Sequence, residues 1–65
     1  MTRAICTILT RLKAGRISLA EANFEANDLC PGVNVYSADD RYYLETNNFV
    51  YRLEDDGWVT ELRKD

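Results

Sequence analysis

Carboxylates offer the main chemistry in this chain, and they are concentrated in two short stretches. "ADDRY" contains Asp39 and Asp40, and "LEDDGW" contains Glu54, Asp55 and Asp56. Closely spaced carboxylates bind lysine and arginine, and a row of them offers a basic protein the same acceptor chemistry as a row of phosphates. One interpretation is therefore an acidic surface that occupies a basic groove. The alternative is that these residues only form turns and keep a small sheet soluble.

Metal binding and catalysis have little support in the sequence. Clustered acids suit calcium, but the chain lacks a D-x-D-x-D-G loop, and two cysteines without any histidine cannot close a zinc site. A G-x-S-x-G motif and a phosphate-binding loop are also missing. We therefore expect no metal, no cofactor and no enzymatic activity.

Charge is distributed unevenly along the sequence. The net charge is −3, yet residues 1–16 hold four basic residues and no acidic one, while residues 17–65 hold all eleven acidic residues. So acidic a chain is a poor general binder of nucleic acid, since that affinity comes mainly from neutralising phosphates. The expected partner is a basic nucleic-acid-binding protein, without direct contact to nucleic acid. Alternatively, a basic first helix contacts nucleic acid or an acidic partner through Arg3, Arg11, Lys13 and Arg16.

Two helical segments come first in the chain. Apolar residues at helical spacing predict a helix over residues 2–14, ended by a glycine; they are Ile5, Ile8, Leu9 and Leu12. Ser18 and Glu21 form a capping-box pattern that predicts a second helix over about residues 19–28. Its inner face is expected to hold Leu19, Ala22, Ala26 and Leu29. Residues 2–29 are thus predicted to form a helical hairpin.

One cysteine, Cys6, lies on the first predicted helix, and the other, Cys30, lies just after the second. Antiparallel packing leaves Cys6 and Cys30 farther apart than the roughly 7 Å between Cα atoms that a disulfide tolerates. We expect reduced, partly buried thiols.

Three pairs of turn residues divide the rest of the chain into four strands. Asp39-Asp40, Asn47-Asn48 and Asp56-Gly57 are pairs that two-residue hairpins prefer. Residues 33–63 are therefore predicted to form an antiparallel β-meander. The fold class is α+β, of order ααββββ, and residues 1–65 are expected to form one domain with the helical hairpin packed on the sheet.

Two-residue turns at all three corners set a register that separates two faces of the sheet. Val35 is placed opposite Leu44, Leu44 opposite Tyr51, and Tyr51 opposite Leu62. The expected inner face is Val33, Val35, Tyr42, Leu44, Phe49, Tyr51, Leu53 and Leu62, with Trp58 and Thr60 beside them.

The expected outer face is the second candidate site. Tyr36, Tyr43, Arg52 and Glu61 form one row, with Glu45, Val50 and Val59 on the same face. Tyrosine and arginine are enriched in binding interfaces. The alternative is an ordinary sheet exterior, in which Arg52 stacks on Tyr43 and pairs with Glu61.

Alternate turns of a meander share one end of the sheet, so both acidic stretches are predicted to meet there, roughly 10 Å apart. We call this surface the acidic rim. The candidate partner-binding residues are Asp39, Asp40, Glu54, Asp55 and Asp56 of the rim, and Glu45, Glu61, Tyr36 and Tyr43 of the outer face.

Taken whole, the chain resembles the small acidic anti-CRISPR proteins that phages and mobile elements use against type I interference complexes. The stretches "YSADDRYYLETNN" and "YRLEDDGWVTEL", with acids at hairpin corners, carry the resemblance together with size and charge. It implies a non-enzymatic inhibitor, a DNA mimic that occupies a DNA-binding or subunit surface of a Cascade-type complex, with type I-C as a candidate subtype.

A second function class stays open. "LTRLKAGRISLAEANFEANDL" resembles short helix-turn-helix oligomerisation segments. It favours a small structural or oligomerising module that uses the helical hairpin or the tyrosine-bearing face. A monomer or weak dimer is expected, in the cytoplasm of the host cell, because no apolar run approaches the ~20 residues of a membrane span.

Overall fold

Two helices precede a four-stranded sheet in the computed structural model, which describes residues 2–64. The elements are α1 (Thr2–Lys13), α2 (Leu19–Leu29), β1 (Asn34–Ala38), β2 (Arg41–Glu45), β3 (Phe49–Leu53) and β4 (Val59–Arg63). The strands pair antiparallel in the order β1-β2-β3-β4, and the buried core joins residues of both helices to one face of the sheet. The predicted α+β fold of order ααββββ is confirmed. Within residues 2–64, neither helix has the length and apolarity needed to cross a bilayer.

Helix α1 forms because its apolar residues share one face and its end is closed by backbone hydrogen bonds. Ile5, Ile8, Leu9 and Leu12 are all buried. Gly15 adopts a φ of +75°, Arg16 N–H donates to the Arg11 carbonyl at 2.9 Å, and Gly15 N–H donates to the Leu12 carbonyl at 3.1 Å. These two bonds are those of a Schellman motif, which needs a left-handed residue at the glycine position.

Helix α2 begins at the predicted capping box. Glu21 N–H donates to Ser18 Oγ at 3.0 Å, and Ser18 N–H donates to Glu21 Oε1 at 2.8 Å. Its predicted inner face is only half right, because Ala22 and Ala26 are buried whereas Leu19 and Leu29 are 43% and 49% exposed. The helix packs on α1 and on edge strand β1, so only its central turns lie over the core.

Two asparagines of α2 close the outer edge of β1. Asn23 Nδ2 donates to the Val35 carbonyl at 2.9 Å, and Val35 N–H donates to Asn23 Oδ1 at 2.8 Å. One turn later, Asn27 Nδ2 donates to the Val33 carbonyl at 3.1 Å and Asn27 Oδ1 accepts from Gly32 N–H at 2.9 Å. The amides therefore supply the hydrogen bonds that a neighbouring strand would otherwise make.

The register of the first three strands is as predicted. Val35 pairs with Leu44, and Leu44 pairs with Tyr51. Asp39 and Asp40 both have positive φ, 52° and 61°, as a two-residue type I′ turn requires.

The predicted register of β4 is wrong by one residue. Tyr51 pairs with Glu61 rather than Leu62, because Asp55, Asp56 and Gly57 form a three-residue loop. Glu54 N–H donates to the Trp58 carbonyl at 2.8 Å, and Gly57 N–H donates to the Glu54 carbonyl at 3.1 Å. This loop needs a positive φ only at the glycine, which has +86°, whereas a two-residue type I′ turn would also need one at Asp56.

The shift exchanges the two faces of β4. Val59, expected outside, is 6% exposed and pairs with Leu53, while Leu62, expected inside, is 39% exposed. The predictions that Thr60 and Trp58 flank the core are wrong as well: Thr60 pairs with the outer-face residue Arg52, and Trp58 is 52% exposed. Glu61 consequently lies on the helix side of the sheet and not in the outer row.

The thiols are free, as predicted. Cys6 is buried, and its Sγ donates to the Gly57 carbonyl at 2.8 Å. This bond ties α1 to the loop between β3 and β4.

Candidate binding surface

The acidic rim is assembled by the strand order. Because β1, β2, β3 and β4 are consecutive antiparallel neighbours, the turn after β1 and the loop after β3 lie at the same end of the sheet. Arg41 directly follows Asp40, and Glu54 directly precedes Asp55. An ion pair between Arg41 and Glu54 therefore connects the residue that follows the first turn to the residue that precedes the loop.

Four aspartates of the rim are exposed and carry unbalanced charge. They are Asp39, Asp40, Asp55 and Asp56. Among the ion pairs formed by residues 2–64, none involves these four side chains. Asp56 has a local bond, because its Oδ1 accepts from Trp58 N–H at 3.0 Å and so fixes the loop. Such side-chain to backbone bonds order a turn without neutralising the carboxylate.

Glu54, also predicted for the rim, is instead held inside a network on the outer face. Its Oε2 accepts from Thr60 Oγ1 and, at 2.9 Å, from Arg52 Nε, while its Oε1 accepts from Arg41. The hydrogen bond from Thr60, followed by those from Arg52 and Arg41, lowers the pKa of Glu54 to about 2. The network joins β2, β3 and β4 through a single carboxylate.

The same network explains why the aspartates stay unpaired. Arg41 directly follows the first acidic turn and Arg52 lies on β3, and both are bound by Glu54. The predicted pairing of Arg52 with Glu61 is wrong, since the shift of β4 moves Glu61 to the other face of the sheet.

The tyrosines lie together on the outer face. The rings of Tyr36 and Tyr43 stack with centroids 5.1 Å apart and planes inclined by 9°. Partial burial, and then the negative charge of Glu45, raise the pKa of Tyr36. Glu45 itself forms a 2.7 Å ion pair with Lys64, so its charge is balanced inside the molecule. The row across the four strands is thus Tyr36, Tyr43, Arg52 and Thr60.

Glu61 has a different environment from the other candidate residues. It pairs with Tyr51 across β3 and β4, and Tyr51 is buried against the helices. Burial raises the pKa of Tyr51, and a hydrogen bond with the Glu61 carboxylate raises it further. Glu61 therefore belongs to the β4 edge, away from the row that holds Tyr36 and Tyr43.

The structure offers no assembled metal site within residues 2–64, where no group of three or more histidine, cysteine or acidic side chains could hold an ion. A pocket of about 270 Å³ opens at the opposite end of the sheet from the rim, between the end of α2 and the Asn47-Asn48 turn. Its lining is largely apolar, with the Cys30 thiol and the Tyr51 hydroxyl as its ionisable groups.

The sequence reasoning missed two sets of residues around the candidate surfaces. One is the clamp on Glu54, formed by Arg41, Arg52 and Thr60; the other is the pair of exposed apolar side chains, Trp58 and Leu62. Both depend on the β4 register. The sequence feature that indicates the correct β4 register is Val59, a β-branched apolar residue that faces the core only if the loop has three residues. Comparison with family models, curated proteins and solved structures finds no match for this chain.

Proposed function

We propose that this protein is a non-enzymatic inhibitor whose acidic rim occupies a basic, nucleic-acid-binding surface of a partner protein. One observation carries the proposal. Four exposed aspartates share one end of the sheet, and Arg41 and Arg52 are bound by Glu54 rather than by them. The rim therefore keeps its negative charge for an external cation.

The rim is held in a fixed shape before any partner arrives. Asp39 and Asp40 form a two-residue turn, Asp56 bonds to Trp58 N–H, and the Cys6 thiol bonds to the Gly57 carbonyl. A preorganised surface loses less conformational entropy on binding than a flexible acidic tail does. Fixed carboxylates also steer a basic partner towards this end of the molecule.

The partner class follows from charge complementarity. Lysine and arginine side chains that line a nucleic-acid groove bind carboxylates as they bind phosphates. The resemblance to small acidic anti-CRISPR proteins suggests a DNA-binding subunit of a type I Cascade complex in the host cytoplasm. Inhibition would be stoichiometric, without turnover, and would weaken as salt screens the charges.

The test is a competition experiment with purified type I-C Cascade and a fluorescent target duplex. We expect the wild-type protein to displace the duplex at low salt and to lose this effect as the salt concentration rises. The variant Asp39→Asn/Asp40→Asn/Asp55→Asn should lose it as well. Asparagine tolerates the left-handed turn, and the Asp56 bond remains intact, so the fold is preserved.

A matched control removes three charges elsewhere. Glu21→Gln/Glu25→Gln/Asp28→Asn changes the net charge of the chain equally but leaves the rim unaltered, and glutamine still fits a capping box. This control should inhibit as well as the wild type does. The rim would not be the binding surface if the rim variant inhibited as well as the wild type does, or if both variants lost inhibition equally.

The outer face supports a second candidate, a protein-interaction module without a charge-based mechanism. The β4 register makes Leu62 an outer-face residue, next to Val50, and the stacked Tyr36 and Tyr43 lie on the same side. Exposed aromatic and aliphatic side chains of this kind anchor interfaces. If this candidate is right, Tyr43→Ala should abolish partner capture while the rim variant captures the partner normally.

A further inference from the structure

Strand β4 presents an open backbone edge. The Trp58 carbonyl accepts from Glu54 N–H, and the Lys64 N–H donates to the Asn48 carbonyl, at the two ends of β3. These two bonds determine which residues of β4 direct their backbone groups towards β3 and which direct them away. Thr60 and Leu62 accordingly direct their backbone groups to β3, while Val59, Glu61 and Arg63 direct theirs outward. Within residues 2–64, no side chain or loop hydrogen-bonds to those outward groups.

We propose that a second copy of this chain pairs antiparallel with β4, with the two-fold axis at Leu62. In this register, Glu61 lies opposite Arg63 of the partner subunit, and Arg63 lies opposite the partner's Glu61. Both residues have outward backbone groups, so each of these pairs exchanges two backbone hydrogen bonds. The inference is independent of the proposed inhibitory function.

Charge complementarity selects this register over its neighbours. An axis at Glu61 would set two glutamates directly opposite each other, which destabilises an antiparallel pair. An axis at Thr60 would run Arg63 into the loop at Gly57 and shorten the pairing. The axis at Leu62 alone joins opposite charges twice, because Glu61 and Arg63 are two residues apart and both are exposed.

The side chain at the axis fits the same arrangement. Leu62 is 39% exposed and lies on the outer face, opposite the face that the helices cover. At the axis it meets its own copy in the closer type of antiparallel pair, where Cα atoms are roughly 4.5 Å apart and side chains touch. The product is an eight-stranded sheet in which the two acidic rims lie at opposite ends.

Sedimentation equilibrium over a concentration series tests the pairing through a charge-swap cycle. We expect a concentration-dependent dimer for the wild type. Glu61→Arg and Arg63→Glu should each raise the dissociation constant about tenfold, since each sets like charges opposite at two positions. The double variant Glu61→Arg/Arg63→Glu restores opposite charges and should restore dimerisation.

A backbone variant tests the edge itself. Arg63→Pro removes an outward N–H without removing a hydrogen bond to β3, so the protomer should remain folded by circular dichroism and become monomeric. A wild-type protein that is monomeric throughout the series would overturn the proposal. So would a dimer that the charge swap fails to restore or that Arg63→Pro leaves intact.

Discussion

β1 and β4 are both edge strands, yet they are held in the sheet by different chemistry. The outer side of β1 is covered by α2, whose Asn23 amide bonds to both backbone groups of Val35. The outer side of β4 has no such cover within residues 2–64. Its attachment is supported on the outer face by Thr60, which bonds to the Glu54 carboxylate.

The difference teaches how a small sheet controls what joins it. A side-chain amide carries a donor and an acceptor, so one asparagine can replace one residue of a neighbouring strand. The β1 edge is thereby withdrawn from pairing. At β4, alternating charges discourage unspecific pairing, and the same charges are complementary to a second copy of themselves.

The largest expected effect comes from removing the amide that closes β1. Asn23→Ala leaves the N–H and carbonyl of Val35 without partners beside a buried side chain. We expect a loss of about 2 kcal/mol in the free energy of unfolding, measured by urea denaturation. Asn34→Ala is the control in the same region, because Asn34 is exposed, and it should change stability by less than about 0.5 kcal/mol. Equal effects of the two variants would remove the closed-edge interpretation.

Acid should affect the two edge strands differently. The support of β4 includes the Glu54 carboxylate, which can bind a proton, whereas β1 is held by the Asn23 amide, which cannot. The pKa of Glu54 is lowered from 4.5 to about 2, so its contribution to stability is fully present above about pH 4.5. That contribution is lost as the pH falls towards 2, where the folded carboxylate binds a proton. Trp58 precedes β4 and is the chain's one tryptophan, so its fluorescence should report the loosening.

Glu54→Gln provides the comparison for the acid experiment. It should lower stability at neutral pH, since two arginines lose their shared carboxylate, and it should flatten the pH dependence between 4.5 and 2. Asn23→Ala should leave that dependence unchanged. A wild-type slope retained in Glu54→Gln would show that other carboxylates cause it.

The smallest effect concerns the corners next to the two edge strands. Asp40 has a φ of 61°, where glycine is favoured, so Asp40→Gly should raise the free energy of unfolding by about 0.5 kcal/mol. Asp56→Gly removes the bond to Trp58 N–H and raises the conformational entropy of the unfolded chain, so it should lower the free energy of unfolding by about 1 kcal/mol. Thermal unfolding of both variants should give shifts of opposite sign; shifts of the same sign would contradict the assigned turns.

Much of the fold could be predicted because local signals agree. Gly15 and the pair Ser18 and Glu21 define helix ends through bonds that involve neighbouring residues only. The turns at Asp39-Asp40 and Asn47-Asn48 set a register that the apolar alternation also supports. These signals need no knowledge of distant parts of the chain.

The errors arose where the outcome depends on a choice between two good local structures. The Asp-Gly pair at residues 56–57 fits a two-residue turn, but the three-residue loop avoids a left-handed aspartate and buries Val59. Likewise, Asn23 and Asn27 look like ordinary polar residues of a helix. Their role depends on where α2 meets the edge of β1, which only the packed structure defines.

Helix α1 packs against β2, β3 and β4, and its Cys6 thiol reaches Gly57, 51 residues later in the chain. The first helix therefore completes its packing only after the last hairpin exists, although α2 and β2 contact it earlier in the chain. Stable folding of this chain therefore includes the closure of one long loop between its first helix and its last hairpin, while most of its other contacts join segments that are close in sequence.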